Sequence, residues 1–166
     1  MIPTVKLTDL TDALDMIPEE SGAWLDRETG RVVIVHAEVI SAVEKAGDNA
    51  VPDLASDWLE DELPDARGIC AGGGRYLALP DKFDFHEYRH MEHFIGTVAD
   101  AMAADQLWRA IKGKGAFRHF KDTAHRLGLL DAWYRHRDAA LNRFMLDWAT
   151  VHQVPVDQTP RRTGPD

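Results

Sequence analysis

The stretch AWLDRETGRVVIVHA, residues 23–37, constrains this chain most. RVVIV (31–35) is dense in β-branched residues, which suit a pleated, half-buried strand. Asp26 opens and Gly30 closes the segment before it, the chemistry of a type I turn finished by a glycine bulge. The spacing predicts a β-hairpin entered through Trp24 and Leu25. Beyond it only RYLALP (75–80) offers another strand, stopped by Pro80. So few strands cannot form a parallel sheet covered on both faces. The pattern points to an α+β fold, a small antiparallel sheet (the hairpin plus a third strand) packed on a C-terminal helical bundle.

Helical periodicity accounts for most of the remainder. Leu7, Leu10, Leu14 and Ile17 mark a short first helix, with Thr8 as its cap and Pro18 as its stop. AEVISAVEKAG (37–47) reads either as a short helix or as an extension of the hairpin. After Pro52, the residues Leu54, Trp58, Leu59 and Leu63 indicate a second helix, while ICAGGG (69–74) reads as loop. Asp84 with Glu87 makes a capping-box pattern, and Phe83 with Tyr88 occupies the positions of a hydrophobic staple. A helix is expected from there, with Met91, Phe94, Ile95, Val98 and Met102 as its apolar stripe. Ala104 to Ile111, Phe117 to Gly128 and a long stretch from Leu130 through Trp148 complete the helices. Residues 1–152 are expected to form one α+β domain. Residues 153–166, proline-rich with little to bury, are expected to be mobile.

A chain of 166 residues has room for a proper core, and 45% apolar with 28% charged residues argues against wholesale disorder. No apolar run approaches the roughly 18 residues of a membrane span, so none is expected. The start MIPTVKLTDLTDAL has one lysine and no long apolar stretch, unlike a secretory signal. Cys70 is the only cysteine, which leaves no intrachain disulfide and no cysteine-based zinc site. It suits a reducing cytoplasm, with no disulfide-linked partner expected. The net charge of −9 is uneven: residues 1–65 carry sixteen acids against four bases (−12), so the rest carries +3. That asymmetry opposes broad coating of nucleic acid but leaves a localised anion contact open on the basic half.

The segment KGKGAFRHFKD (112–122) is the most specific candidate. Backbone N–H groups at a helix start attract anions, and glycine lets a phosphate approach closely. Lys112, Gly113, Lys114, Gly115, Arg118 and Lys121 form the candidate anion-binding set. The spacing is not that of a P-loop, and no strand precedes it as in a dinucleotide fingerprint. The competing reading is a turn between two helices, with Phe117 and Phe120 packed inward and the bases solvated. His86, His90 and His93 fall within about 60° on one expected helix, enough to face a single ion. No carboxylate at ligand spacing joins them, so no metal is expected there, and no cofactor is expected elsewhere. Cys70 precedes a strand rather than a helix start, where a thiolate would be stabilised. Glu60, Asp61 and Glu62 read as a solvated helix face, and Trp108, Trp133 and Trp148 as core positions.

The chain resembles the bacterial uncharacterised protein family 0158. The resemblance rests on WLDRETGRVVIV (24–35), RYLALP (75–80), MEHFIGTV (91–98), AIKGKGAFRHFKD (110–122) and Trp133 with the helix after it. It covers most of the chain and implies a soluble bacterial protein of one α+β domain. It carries over neither an activity nor functional residues. Together these features suggest a non-enzymatic binding or regulatory module, with an anion contact (phosphate, nucleotide or RNA) at the glycine–lysine turn. The alternatives are a protein-interaction module using the acidic N-terminal half, and a metal-dependent enzyme using the His86/His90/His93 face.

Overall fold

The computed structural model describes residues 1–47 and 52–160. The fold is α+β. It divides into two compact units: residues 1–81 with 145–166, and residues 82–144.

In the first unit a short strand β1 (Val5–Lys6) leads into α1 (Leu7–Met16). Lys6 rather than Thr8 stands at the cap position, and Thr8 lies inside the helix. The hairpin forms as its sequence requires: β2 (Ser21–Asp26) pairs antiparallel with β3 (Val32–His36), with Trp24 opposite Val33 and Leu25 opposite Val32. Gly30 adopts φ +73° and its N–H donates to the Asp26 carbonyl at 2.8 Å, closing the turn. β4 (Tyr76–Ala78) adds antiparallel to the other edge of β2, giving the order β3-β2-β4. The segment after the hairpin resolves as helix α2 (Ala37–Ala46). The single helix expected from Leu54 to Leu63 is instead a tight 3₁₀ stretch, Asp57–Glu62, running into α3 (Leu63–Ala71). Pro64 explains the shift, because proline is well placed at a helix start. Ile69, Cys70 and Ala71 are therefore helical rather than loop.

Valines alternating along β3 (Val33, Val35) meet Val39 and Val43 of α2, Leu59 and Ala66, forming one buried cluster. The part of the chain expected to move freely from residue 153 begins with a buried Val154. It continues as β5 (Val156–Asp157), paired parallel with β1. Residues 161–166 lie outside the described residues.

The second unit is helical. After α4 (Lys82–Phe85), His86 takes a left-handed φ of +54°, and α5 (Glu87–Thr97) starts one residue later. The helix expected from Asp84 is thus broken at His86, and Phe83, 85% exposed, makes no staple. Glu87, the acid of the expected box, instead accepts from Arg137. α5 ends before Val98, and Asp100 caps α6 (Ala101–Ala110) by accepting from the N–H groups of Met102 and Ala103. Met102, expected on a buried stripe, is on the solvent side of α6. α7 (Ala116–Arg126) and α8 (Leu130–Val151) follow. Met91, Phe94, Ile95, Leu107, Ile111, Phe120, Ala124 and Trp133 make a shared core. Phe94, Phe120 and Trp133 meet there edge to face, with centroids 4.9–6.1 Å apart, the arrangement aromatic quadrupoles favour.

Candidate functional site

The stretch 112–122 begins as the turn between α6 and α7. Gly113 (φ +86°) and Gly115 (φ +73°) both occupy the left-handed region where a side chain is strained. Gly115 stands at the cap of α7, and its carbonyl accepts from the N–H of His119. A Cβ on Gly115 would come within 3.2 Å of the exposed His119 ring, which a small shift of that ring relieves, so the positive φ is what calls for glycine. Lys112, Gly113, Lys114 and Gly115 are all exposed.

On α7 each residue advances about 100°. Phe120 and Ala124 turn to the core, and both are fully buried. Arg118 and His125 point away from them, and Lys121 lies on a flank; all three are exposed. On α7 Arg118, Lys121 and His125 recur at i, i+3 and i+7 along one side of the helix, and Lys114 stands exposed in the turn before it. Phe117 lies at the margin of the buried face, and 47% of it remains exposed. The expectation that both phenylalanines would be buried holds only for Phe120. One turn of helix separates Phe117 from Lys121, so the exposed ring edge and the ammonium are neighbours.

Residues 106–130 carry six bases (Arg109, Lys112, Lys114, Arg118, Lys121, Arg126) and one acid, Asp122, a balance of +5. The rest of the chain is therefore −14, since −9 − 5 = −14. Three of the six bases have an acid four residues away, and two of these form ion pairs. Arg109 pairs with Asp105 at 2.8 Å, and Arg118 reaches Asp122 only at 3.9 Å. Both pairs are exposed and worth little.

The histidines expected on one helical arc are separated by the break at His86, which lies before α5 and leaves the arc. His90 stacks on Phe85 at 4.4 Å, and its Nε2–H donates to the Phe85 carbonyl. Burial holds its pKa below the usual histidine value, with His93 adding to the effect. His136 of α8 rests on Trp133 and Phe94, and burial lowers its pKa too. Among the described residues, no three histidine, cysteine or acidic side chains converge as a metal site would need. Cys70 lies at the C-terminal end of α3, where burial and Glu44 raise its pKa, away from a reactive thiolate.

Two polar centres carry structure rather than chemistry, and pattern reading does not find them. Asp26 is 1% exposed and accepts from Arg75 Nε and Nη2 (2.9 Å each), Glu28 N–H and the Thr29 hydroxyl. Arg75 above all holds the Asp26 carboxyl far below the usual carboxylate range. Glu62, expected on a solvated face, accepts from the His36 N–H at 2.7 Å and meets His36 Nδ1 at 2.7 Å. The only signal for the first was the Asp–x–x–x–Gly turn spacing. The second has no local signal, since 26 residues separate its partners.

The model of an uncharacterised protein family (UPF0158) matches residues 2–158, and the chain belongs to that family. No curated protein and no solved structure matches it.

Proposed function

For this member of the family we propose a binding function: the outer face of α7, with the Lys112–Gly115 turn, engages a phosphate polyanion, and single-stranded RNA fits it best. One observation supports the reading, the +5 balance of residues 106–130 against −14 elsewhere, with Lys112 and Lys114 exposed in the turn and Arg118, Lys121 and Arg126 exposed on α7. Bases strung from Lys112 in the turn to Arg126 at the end of α7, rather than gathered around one point, suit a line of phosphates more than one cupped phosphate. The half-exposed Phe117 beside Lys121 supplies a ring on which an unpaired base stacks, and stacking tolerates any sequence. The acidic remainder restricts the contact to this face and discourages wrapping of duplex nucleic acid.

The test is fluorescence anisotropy with a labelled single-stranded RNA across a salt series. Wild type is expected to bind with a log–log salt slope of about −2, three contacts at about 0.7 each. Lys114→Ala with Arg118→Ala is expected to remove about 1.4 of that slope. Phe117→Ala is expected to weaken binding while leaving the slope unchanged, because a ring releases no counterion. Absence of binding at moderate salt, or a double variant indistinguishable from wild type, would sink the reading.

A further inference from the structure

The first unit contains a broad, open hollow of about 1080 Å³, slightly above the usual volume of small-molecule sites. Four segments line it: the N-terminal Met1 and Ile2, the hairpin turn, the glycine connector before β4, and the residues that follow α8. Its two arginines differ in their commitments. Arg75 is saturated, with Nε and Nη2 on Asp26 and Nη1 on Glu28 at 3.2 Å. Arg27 instead donates Nη1 to a neutral partner, the Gly74 carbonyl at 3.1 Å. Among the described residues no carboxylate pairs with it; Glu28, which also lines the hollow, is engaged by Arg75, so the Arg27 guanidinium is not committed to an ion pair.

A second observation comes from the end of α8. The N–H of Val154 donates to the Ala149 carbonyl and that of Gln153 to the Thr150 carbonyl, a Schellman-type ending. The residue at its left-handed position is usually glycine, yet here it is Gln153 at φ +57°. A glutamine held there costs backbone energy that glycine would avoid, and its side chain lines the hollow beside His152. Opposite in sequence, Gly73 (φ +85°) and Gly74 (φ +81°) line the same hollow without side chains. A Cβ on Gly73 would meet nothing within 4 Å, so the glycine leaves open space and a bare peptide edge. Ile2, Val154 and Pro155 give the hollow an apolar wall.

From these features we infer that the hollow binds a small organic anion: its carboxylate or phosphate rests on Arg27, its polar groups meet Gln153 and the Gly73–Gly74 backbone, and its apolar part lies on Val154 and Pro155. Guanidinium geometry matches either oxyanion, because both accept two parallel N–H donors. The site shares no residue with α7 and stands independently of the RNA reading.

The experiment is a ¹H–¹⁵N NMR titration of the full chain with three separate probes: AMP, benzoate and inorganic phosphate. AMP or benzoate is expected to shift the amides of Arg27, Gly73, Gly74 and Gln153 saturably, with inorganic phosphate at least about tenfold weaker. Arg27→Gln is expected to weaken that binding by about tenfold or more, and Lys114→Ala with Arg118→Ala to leave it unchanged. Gln153→Gly relieves the backbone, so it is expected to raise the melting temperature while weakening the ligand several-fold. The inference fails if neither organic probe moves these amides at about 10 mM, or if shifts are confined to α7. It fails equally if inorganic phosphate matches the organic probes, or if Gln153→Gly, folded and more stable, binds undiminished.

Discussion

Two turns in this protein solve the same geometric problem with opposite electrostatics. The turn from Asp26 to Gly30 reverses the chain between strands, and the turn from Lys112 to Gly115 does so between helices; each closes on a left-handed glycine. In the first, a carboxylate is drawn out of water and satisfied by four donors, two of them from Arg75, 49 residues away. In the second, two lysines stay exposed, and backbone hydrogen bonds and Gly115 set the path. A buried, satisfied charge is committed to the fold. Exposed bases contribute little to folding and remain available to a ligand.

The sharpest way to break this comparison is to strand the buried charge. Arg75→Met leaves Asp26 with its carboxylate buried and without its main partner, an expected cost of about 3–5 kcal/mol in urea unfolding. Lys112→Ala with Lys114→Ala is expected to change stability by less than about 0.5 kcal/mol. Equal effects from the two variants would mean that the turns are not of different kinds.

A second contrast lies within the basic stretch itself. Phe120→Ala should cost about 3–5 kcal/mol, because its ring is fully buried against Phe94 and Trp133. Phe117→Ala, with a half-exposed ring, should cost about 1 kcal/mol. Chemical denaturation of the two variants side by side measures the difference, and a reversed order would place the wrong ring in the core.

Acid titration extends the comparison. The Asp26 carboxyl is held below its unfolded value, so its contribution is complete above about pH 4 and is lost as pH falls lower. In Asp26→Asn that part of the stability–pH curve should flatten. The smallest effect belongs to His90 and His136, whose folded pKa values are also lowered, chiefly by burial. Protons then bind the unfolded chain first, so stability is full above about pH 6.5 and declines modestly as pH falls below it. His93 and Glu87 also face His90, the first adding to this loss and the second opposing it. His90→Gln should remove part of the decline between pH 7 and pH 5; an unchanged profile would show that His90 takes no part.

Where neighbours in sequence decide the outcome, the residues alone were sufficient. β-Branched residues and the Asp–Gly turn made the hairpin legible, and with the third strand the α+β class. The spacing of Phe120, Ala124 and the bases determined that α7 would present its charges outward, because 100° per residue leaves no other side for them. Long-range partners were not legible. Asp84 and Glu87 have the spacing of a cap, yet Arg137 takes Glu87 and His86 breaks the helix between them. Glu62 belongs to an acidic run, yet a histidine 26 residues earlier draws it inward. Asp26 looked like a turn residue and nothing more until Arg75 arrived from β4's approach. A charged side chain's fate depends on which opposite charge or backbone donor the fold brings within about 3 Å. Tertiary structure alone makes that assignment, because sequence distance says nothing of it.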